Sequence, residues 1–368
     1  MKLRFNRQEA AEALRTISSV AASRTPQQVL KCARFNAQSD VLLLSATDQE
    51  LSLELAVTLV EVDETGEALA NAETVARIVG ECTDETMSLE MVKSQLHLRG
   101  ASNHFQVVTQ DVAEFPAIPA LDEKADFTIE YGRLHRLVEW TVFASAREST
   151  RYAINGVLWE VEDGKLTLAA TDGRRLSVAR GELTGMNVES VPQVIVPSKA
   201  LQLFMRLGVN ADAPVSVKVA SNQLQISVAG ARLSTTLVEG HFPKYRDVIP
   251  SDCTSVAEMS TSDFQVALKQ AALLTNEESK GVRLAVDDNT ITLSSRAPEQ
   301  GEATVSFPVR YKGEPLSIGF NPVFLLDVLR VAHSDEITMA FKQSDRPGVI
   351  KLGEDLVYVV MPVNLASG

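Results

Sequence analysis

The chain has 368 residues, 45% of them hydrophobic and 23% charged, enough for two or three domains with full cores of their own. Its formal net charge of −13, taken alone, speaks against a nucleic-acid binder, which needs a basic footprint, while leaving room for one local basic face. Three widely spaced cysteines (Cys32, Cys82, Cys253) argue against a disulfide framework or a zinc site, and no apolar run approaches the ~18 residues of a membrane helix.

The opening MKLRFNRQEAAEALRT carries no apolar leader, so a cytoplasmic protein is expected. Residues 6–22, NRQEAAEALRTISSVAA, have apolar residues at helical spacing behind a polar start and predict a helix. Residues 32–46, CARFNAQSDVLLLSA, read as a hairpin turning near Ser39-Asp40. A second helix is predicted over 71–80, NAETVARIVG, and a Phe-Pro pair follows at Phe115-Pro116.

The same order then returns. Residues 131–146, YGRLHRLVEWTVFASA, predict a helix, and 157–170, VLWEVEDGKLTLAA, a hairpin around Asp163-Gly164, a strong type I′ turn signal. A helix is expected within 197–206, PSKALQLFMR, before Phe242-Pro243. The third pass has a helix over 261–275, TSDFQVALKQAALLT, and a hairpin over 282–295 turning at Asp288-Asn289. Its second helix lies at 321–330, NPVFLLDVLR, and VVMPV (359–363) stands where the Phe-Pro pair would be. The period of about 124 residues is too long for a solenoid. It predicts a triplicated α+β domain with units at 1–122, 127–252 and 253–368, each built as helix, strands, helix, strands.

One short motif recurs with the repeat. ATDQELSL (46–53) and ATDGRRLS (170–177) share Ala-Thr-Asp, but only the second carries adjacent arginines. The stretch lies between two alternating strands, not at the strand-to-helix turn that would seat a phosphate. The double arginine is therefore dispensable for the fold, and either something specific to the middle copy uses it or nothing does.

No catalytic signature appears: no G-x-S-x-G, H-E-x-x-H, Walker loop or G-x-G-x-x-G, and the five histidines have no ligand-like spacing. No cofactor or metal is expected. The cations are more informative. Arg133 and Arg136 are three apart on one predicted helix, Lys199 and Arg206 seven apart on another, and Arg7 and Arg15 eight apart on a third. Several helices sharing such a face would make a positive groove inside an acidic exterior.

Taken together, RYAINGVLWE (151–160), ATDGRRLS (170–177), IVPSKALQLFMRL (195–207), VEGHFPKYRDVIP (238–250), KGVRLAV (280–286), IGFNPVFLLDVL (318–329) and YVVMPV (358–363) resemble the bacterial sliding-clamp family, the beta subunits of DNA polymerase III. The resemblance runs over essentially the whole chain. It implies three DNA-clamp domains, each of two helices backed by antiparallel sheets, and two chains closing into a six-domain ring. The implied function is non-catalytic: the ring encircles duplex DNA and tethers the replicative polymerase, the clamp loader and repair polymerases.

The resemblance assigns a partner-peptide pocket to Arg151, Ile154, Thr171, Gly173, Arg174, Arg175, Leu176, Pro243, Val248, Val359 and Met361. Arg24 and Tyr152 match positions associated with DNA, joining Arg133, Arg136, Lys199 and Arg206. Phe105 and Val107 would meet Leu273 and Leu274 of a second chain at the ring seam. The chain departs from the family at Arg174, often histidine, at Ala153, often tyrosine, and at Glu73-Thr74, often basic. A clamp-fold scaffold that binds peptides without encircling DNA, and a hydrolase with a cleft between repeats, are the alternatives.

Overall fold

Helix starts are set by side-chain caps. In the computed structural model, which describes residues 1–22, 25–118, 124–147, 152–275, 281–298 and 300–365, six α-helices are found among those residues. They are α1 (Arg7–Ser18), α2 (Ala72–Glu81), α3 (Tyr131–Val142), α4 (Ser198–Phe204), α5 (Thr261–Ala271) and α6 (Pro322–Val331). Asn6, Asn71, Ser260 and Asn321 each accept a backbone N–H from the first turn of the helix that follows. Pro322 opens α6, where its missing N–H costs nothing.

Four helices, α1, α3, α4 and α5, end earlier than the apolar spacing predicts, while α2 and α6 run one residue further; α4 stops at Phe204, so Arg206 does not share its face with Lys199. In α1 the Ser18 and Ser19 hydroxyls donate to the Arg15 and Thr16 carbonyls, closing the last turn before the predicted end at 22. After α5 the chain tightens into a 3-10 turn at Ala272–Leu274.

The predicted hairpins form. Strands Gly156–Glu162 and Lys165–Thr171 pair across Asp163 and Gly164, which take φ of +51° and +71°. Strands Val282–Asp287 and Thr290–Ala297 pair across Asp288 and Asn289 at +41° and +61°. Both turns sit in the left-handed region that hairpins with a right-handed twist require. In the first copy, Cys32–Ala37 pairs with Leu42–Thr47, and Gln38 N–H donates to the Val41 carbonyl at 2.9 Å.

The compact units do not follow the repeat boundaries. One is formed by Met1–Gly132, Leu183–Val191 and Lys199–Leu237, the other by Arg133–Glu182, Pro192–Ser198 and Val238–Gly368. The reason is strand pairing across the joints. Ala231–Thr236 of the middle repeat pairs antiparallel with Leu51–Val57, with Leu233 opposite Leu53, which makes a 14-stranded sheet in the first unit. Arg175–Glu182 pairs with Leu356–Val360, with Leu176 opposite Val359, at the centre of a nine-stranded sheet in the second. That unit also holds a four-stranded sheet running from Gly301–Pro308 through Thr290–Ala297 and Val282–Asp287 to Leu316–Phe320.

The helices cover these sheets. In the first unit α1 packs beside α2, burying Leu14, Ile17, Val75 and Val79; in the second α5 packs beside α6, burying Phe264, Leu268, Leu325 and Leu329. Strand residues alternate in and out, as in Val282, Leu284 and Val286 buried against exposed Arg283. No helix among the described residues is long and apolar enough to cross a membrane.

Candidate partner-peptide site

The recurring Ala-Thr-Asp builds a turn. Thr171 Oγ1 donates to the Arg175 carbonyl at 2.6 Å and accepts the Gly173 N–H at 3.1 Å. Asp172 Oδ1 accepts the Arg174 and Arg175 N–H groups at 2.9 and 3.1 Å. The first repeat does the same: Thr47 Oγ1 donates to Leu51 and accepts from Gln49, while Asp48 Oδ1 accepts from Glu50 and Leu51. Gly173 sits at φ +86° and its counterpart Gln49 at +79°. Thr and Asp side chains thus satisfy the backbone of a left-handed corner in both copies. What differs is the load the corner carries, Glu50-Leu51 in one and Arg174-Arg175 in the other.

The two arginines point to different fates. Arg174 is exposed, and its side chain has no hydrogen bond or ion pair with any described residue. Arg175 is only 10% exposed and is fully engaged. Its Nε donates to Asp172 at 3.1 Å, Nη1 to Asp327 of α6 at 2.7 Å, and Nη2 to the Phe143 carbonyl at 2.8 Å. The guanidinium also lies 4.6 Å from the Phe324 ring centroid and 5.5 Å from that of Phe143. Arg175 is therefore a strut behind the turn, not a cation free to meet a peptide, and this overturns the expectation that the fold does not need the double arginine. Behind it, burial pushes the Tyr358 hydroxyl far above the usual tyrosine range, and that hydroxyl donates to the Phe324 carbonyl at 2.8 Å.

The apolar residues divide into a floor and a rim. Leu176, Val359 and Ile154 are buried, the first two in one cluster with Leu158, Ala169, Val178, Ile195 and Tyr245. Val248 is 53% and Met361 42% exposed, and Pro243, five residues before Val248, is exposed as well. The Met361 N–H donates to the Arg174 carbonyl at 2.9 Å, tying the chain's last strand to the turn. A buried apolar cluster, with exposed Met361 tied to its turn and exposed Val248 on the segment packed against it, is the form expected of a surface that takes hydrophobic side chains from a partner. Ala153, which stands where a tyrosine is common, packs against the same cluster. Arg151 and Arg24 lie outside the described residues, and of Tyr152 only its place in the 3-10 turn Tyr152–Ile154 is described.

Gly156 explains the Asn-Gly of RYAINGVLWE. A Cβ there would lie 2.7 Å from both Ile195 Cγ2 and the Val196 carbonyl oxygen. The carbonyl belongs to a paired strand and cannot yield. Gly156→Ala is expected to lower stability by about 1–3 kcal/mol. An unchanged urea midpoint would refute this account of the close approach.

The candidate DNA cations fall into two places. Arg133 and Arg136 of α3 line a hollow of about 520 Å³ in the second unit, together with Trp140, Lys165 and Arg180 and the acids Glu182, Glu354 and Asp355. Arg133 donates to the Glu182 carbonyl at 3.3 Å, and Arg136 lies 6.0 Å from the Trp140 ring centroid. Lys199 and Arg206 belong to the first unit. Lys199 is ion-paired with Asp48 of the recurring turn. Arg206 lines a hollow of about 500 Å³ with Glu9, Glu12 and Arg15. The two hollows are counterparts in the repeat, Glu9 and Glu12 standing where α3 has Arg133 and Arg136. Glu9 is in turn occupied, accepting from Thr58 N–H and Oγ1 and from Leu59 N–H. Lys165 and Arg180 were missed from the sequence because their nearness to α3 comes from the sheet and not from helical spacing.

The candidate seam residues also divide. Leu273 is 77% exposed, and Phe105 is partly exposed on strand His104–Gln110. Val107 is buried in the core of its own unit and Leu274 is half-buried. Val108, 66% exposed, is the apolar residue of that strand that faces outward and that sequence reading overlooked. His104–Val108 pairs on one side only, with Gln95–Arg99; Gly301–Pro308 pairs only with Thr290–Ala297. Each leaves an open sheet edge among the described residues. No group of three or more His, Cys, Asp and Glu among the described residues is placed to hold a metal ion.

Comparison with known proteins gives one answer along the whole chain. The N-terminal, central and C-terminal domain families of the DNA polymerase III beta subunit match residues 1–119, 128–244 and 246–364. The chain is 30% identical over 370 residues to the beta sliding clamp of Escherichia coli K12, covering 99% of this chain and all of that one. It is 28% identical over 368 residues to that of Vibrio cholerae, with 99% and 100% coverage. Among solved structures, a Pseudomonas aeruginosa sliding clamp bound to griselimycin superposes with a TM-score of 0.93 at 28% identity, covering 99% of this chain and 100% of that one. A Bacillus subtilis sliding clamp does so at 0.92 and 25%, with 99% of each chain covered.

Proposed function

The chain belongs to the family of DNA polymerase III beta subunits and is a sliding clamp with three tandem clamp domains, and from that premise we propose how its residues do the work. The protein acts without catalysis, as a closed ring of two chains around duplex DNA. Retention is topological, so contacts with the phosphates need only be weak and sequence-independent. Arg133 and Arg136, with Lys165 and Arg180 close by, supply the clearest cationic face for this. Lys199 is a weaker contributor while Asp48 holds it. Processivity follows from effective concentration: a polymerase bound to a ring that cannot leave the DNA rebinds its template far faster than one free in solution.

The polymerase, the clamp loader and repair polymerases dock at the turn 170–177. Leu or Phe side chains of a short peptide cover the Leu176–Val359 floor between Val248 and Met361, and Arg174 meets peptide carbonyls or an acidic end. The observation that carries this reading is the buried apolar cluster, with exposed Met361 tied to its turn and exposed Val248 on the segment packed against it, beside a cation that no described residue engages.

The test is retention on DNA. Once loaded, the protein is expected to stay on nicked circular duplex through a high-salt wash and to run off the same duplex after linearisation. Equal loss from both forms would overturn encirclement. It would favour the reading in which the fold serves as a peptide-binding scaffold, to which the acids Glu9 and Glu12 on α1 lend some support.

A further inference from the structure

The rim of the docking site is carried by a segment with little to hold it. Between the strand that ends at Thr236 and the one that begins at Ser255, the chain crosses the second unit in an irregular path containing Pro243, a 3-10 turn at Tyr245–Val248, and Ile249. Its backbone bonds are few. Leu237 and Val238 N–H groups donate to Asn222 and Ile195 at its start and Thr254 N–H to Phe341 at its end, and those between are local, from Tyr245 to Pro243, Asp247 to Lys244 and Ile249 to Arg246. The rings of Phe242 and Tyr245 pack edge to face, with centroids 6.3 Å apart, on the apolar cluster under the site. Apolar packing of this kind fixes depth, but it does not fix lateral position.

Side-chain bonds supply the rest: Asp252 pairs with Lys342 near the end of the segment, and those around the 3-10 turn converge on one carboxylate. Glu160 lies in strand Gly156–Glu162, paired on both sides, with a side chain 12% exposed. Its Oε2 accepts the Tyr245 hydroxyl at 2.5 Å and Arg246 Nη2 at 2.9 Å. Its Oε1 accepts Arg246 Nη1 at 3.1 Å and the Gln193 side-chain amide. The Arg246 guanidinium lies 4.9 Å from the Tyr245 ring centroid, so the paired residues brace one another. Burial and the Glu160 carboxylate push the Tyr245 hydroxyl well above the usual tyrosine range, keeping it a donor. The two anchored residues, Tyr245 and Arg246, sit between Pro243 and Val248 in the chain.

We infer that Glu160 is a positioning residue for the partner-peptide site, setting the place of Pro243 and Val248 over the Leu176–Val359 floor through Tyr245 and Arg246. This rests on the docking reading given above. Glu160 touches no peptide. It acts by fixing the gap into which an apolar anchor must fit, and so contributes to which anchor side chains the site accepts.

The experiment is titration of the full chain with a fluorescent peptide carrying leucine and phenylalanine anchors, read by anisotropy. Glu160→Gln is expected to weaken binding about tenfold, and Tyr245→Phe, which keeps the ring and removes only the hydroxyl, to weaken it in the same direction. The decisive readout is coupling. In a Val248→Ala background, where the side chain that Glu160 positions is gone, Glu160→Gln is expected to lose most of its effect. In a Met361→Ala background, where the residue is carried by the last strand, the effect should persist in full. A general loosening of the unit would weaken both backgrounds alike, and that result would overturn the inference. So would wild-type affinity in both Glu160→Gln and Tyr245→Phe. A wild-type chain that binds no such peptide would instead overturn the docking reading itself, and the inference with it.

Discussion

Arg175→Ala is expected to lower the unfolding free energy by about 3 kcal/mol and to abolish peptide binding. The substitution leaves Asp172, 19% exposed, without its cation, and Asp327, 15% exposed, with only the exposed Arg330 at 3.5 Å from its other oxygen. It also removes the donor that satisfies the Phe143 carbonyl. Removing one partner of a largely buried pair costs about 3–5 kcal/mol because the other charge stays where it was. The partial exposure of the acids places the value at the lower end. Arg175→Lys keeps the charge but not the three-way fork, so it should fall between the two. Urea denaturation measures the stability, and peptide anisotropy the binding. Met361→Ala is the comparison, since truncating an exposed rim residue should weaken binding with the midpoint unmoved. Should Arg175→Ala retain its stability and lose only binding, the strut assignment would be wrong and the guanidinium would have to turn outward.

The second large effect lies at the seam. Leu273→Ala is expected to raise the dissociation constant of the two-chain ring about a thousandfold while leaving the fold of each chain intact. Leu273 is 77% exposed, so its truncation removes almost no internal packing. Covered by a partner, a leucine contributes about 2 kcal/mol. A two-fold ring has two equal seams, each containing one Leu273, so one substitution acts twice, and about 4 kcal/mol corresponds to about three decades in affinity. Light scattering across dilution would follow mass from twice 40.0 kDa to 40.0 kDa. Coincident dilution curves for variant and wild type would remove Leu273 from the seam and leave Phe105 and Val108 to be tested next.

Local chemistry made the helix starts and hairpins legible from sequence. Asp163-Gly164 and Asp288-Asn289 announced their turns because few residues accept positive φ at both central positions. The pairings of Ala231–Thr236 with Leu51–Val57 and of Arg175–Glu182 with Leu356–Val360 were not legible. Their partners lie about 180 residues apart, and an alternating strand does not name its neighbour. The pocket residues came from resemblance, but their orientations did not. Arg174 and Arg175 are adjacent and chemically identical, yet one faces water and the other is locked between Asp172 and Asp327. Asp327 on α6, 152 positions away, and the Phe143 carbonyl hold it there, and neither is evident from the sequence around the turn. Glu160 was passed over for the same reason, as an acid in an alternating strand reads as solvated surface.

The turn shared by the first two repeats bears on stoichiometry. Thr47-Asp48 and Thr171-Asp172 build the same corner, yet of the two only the second arms it with adjacent arginines, over a floor that Leu176 shares with Val359. Six domains in a closed ring would then present two docking sites, not six. A ring would hold two peptide-bearing partners at most, and a third would have to wait for one to leave. Exchange between a polymerase and a repair enzyme on one ring becomes a matter of vacancy and dissociation rate, with the spare site allowing a newcomer to be aboard before its predecessor departs.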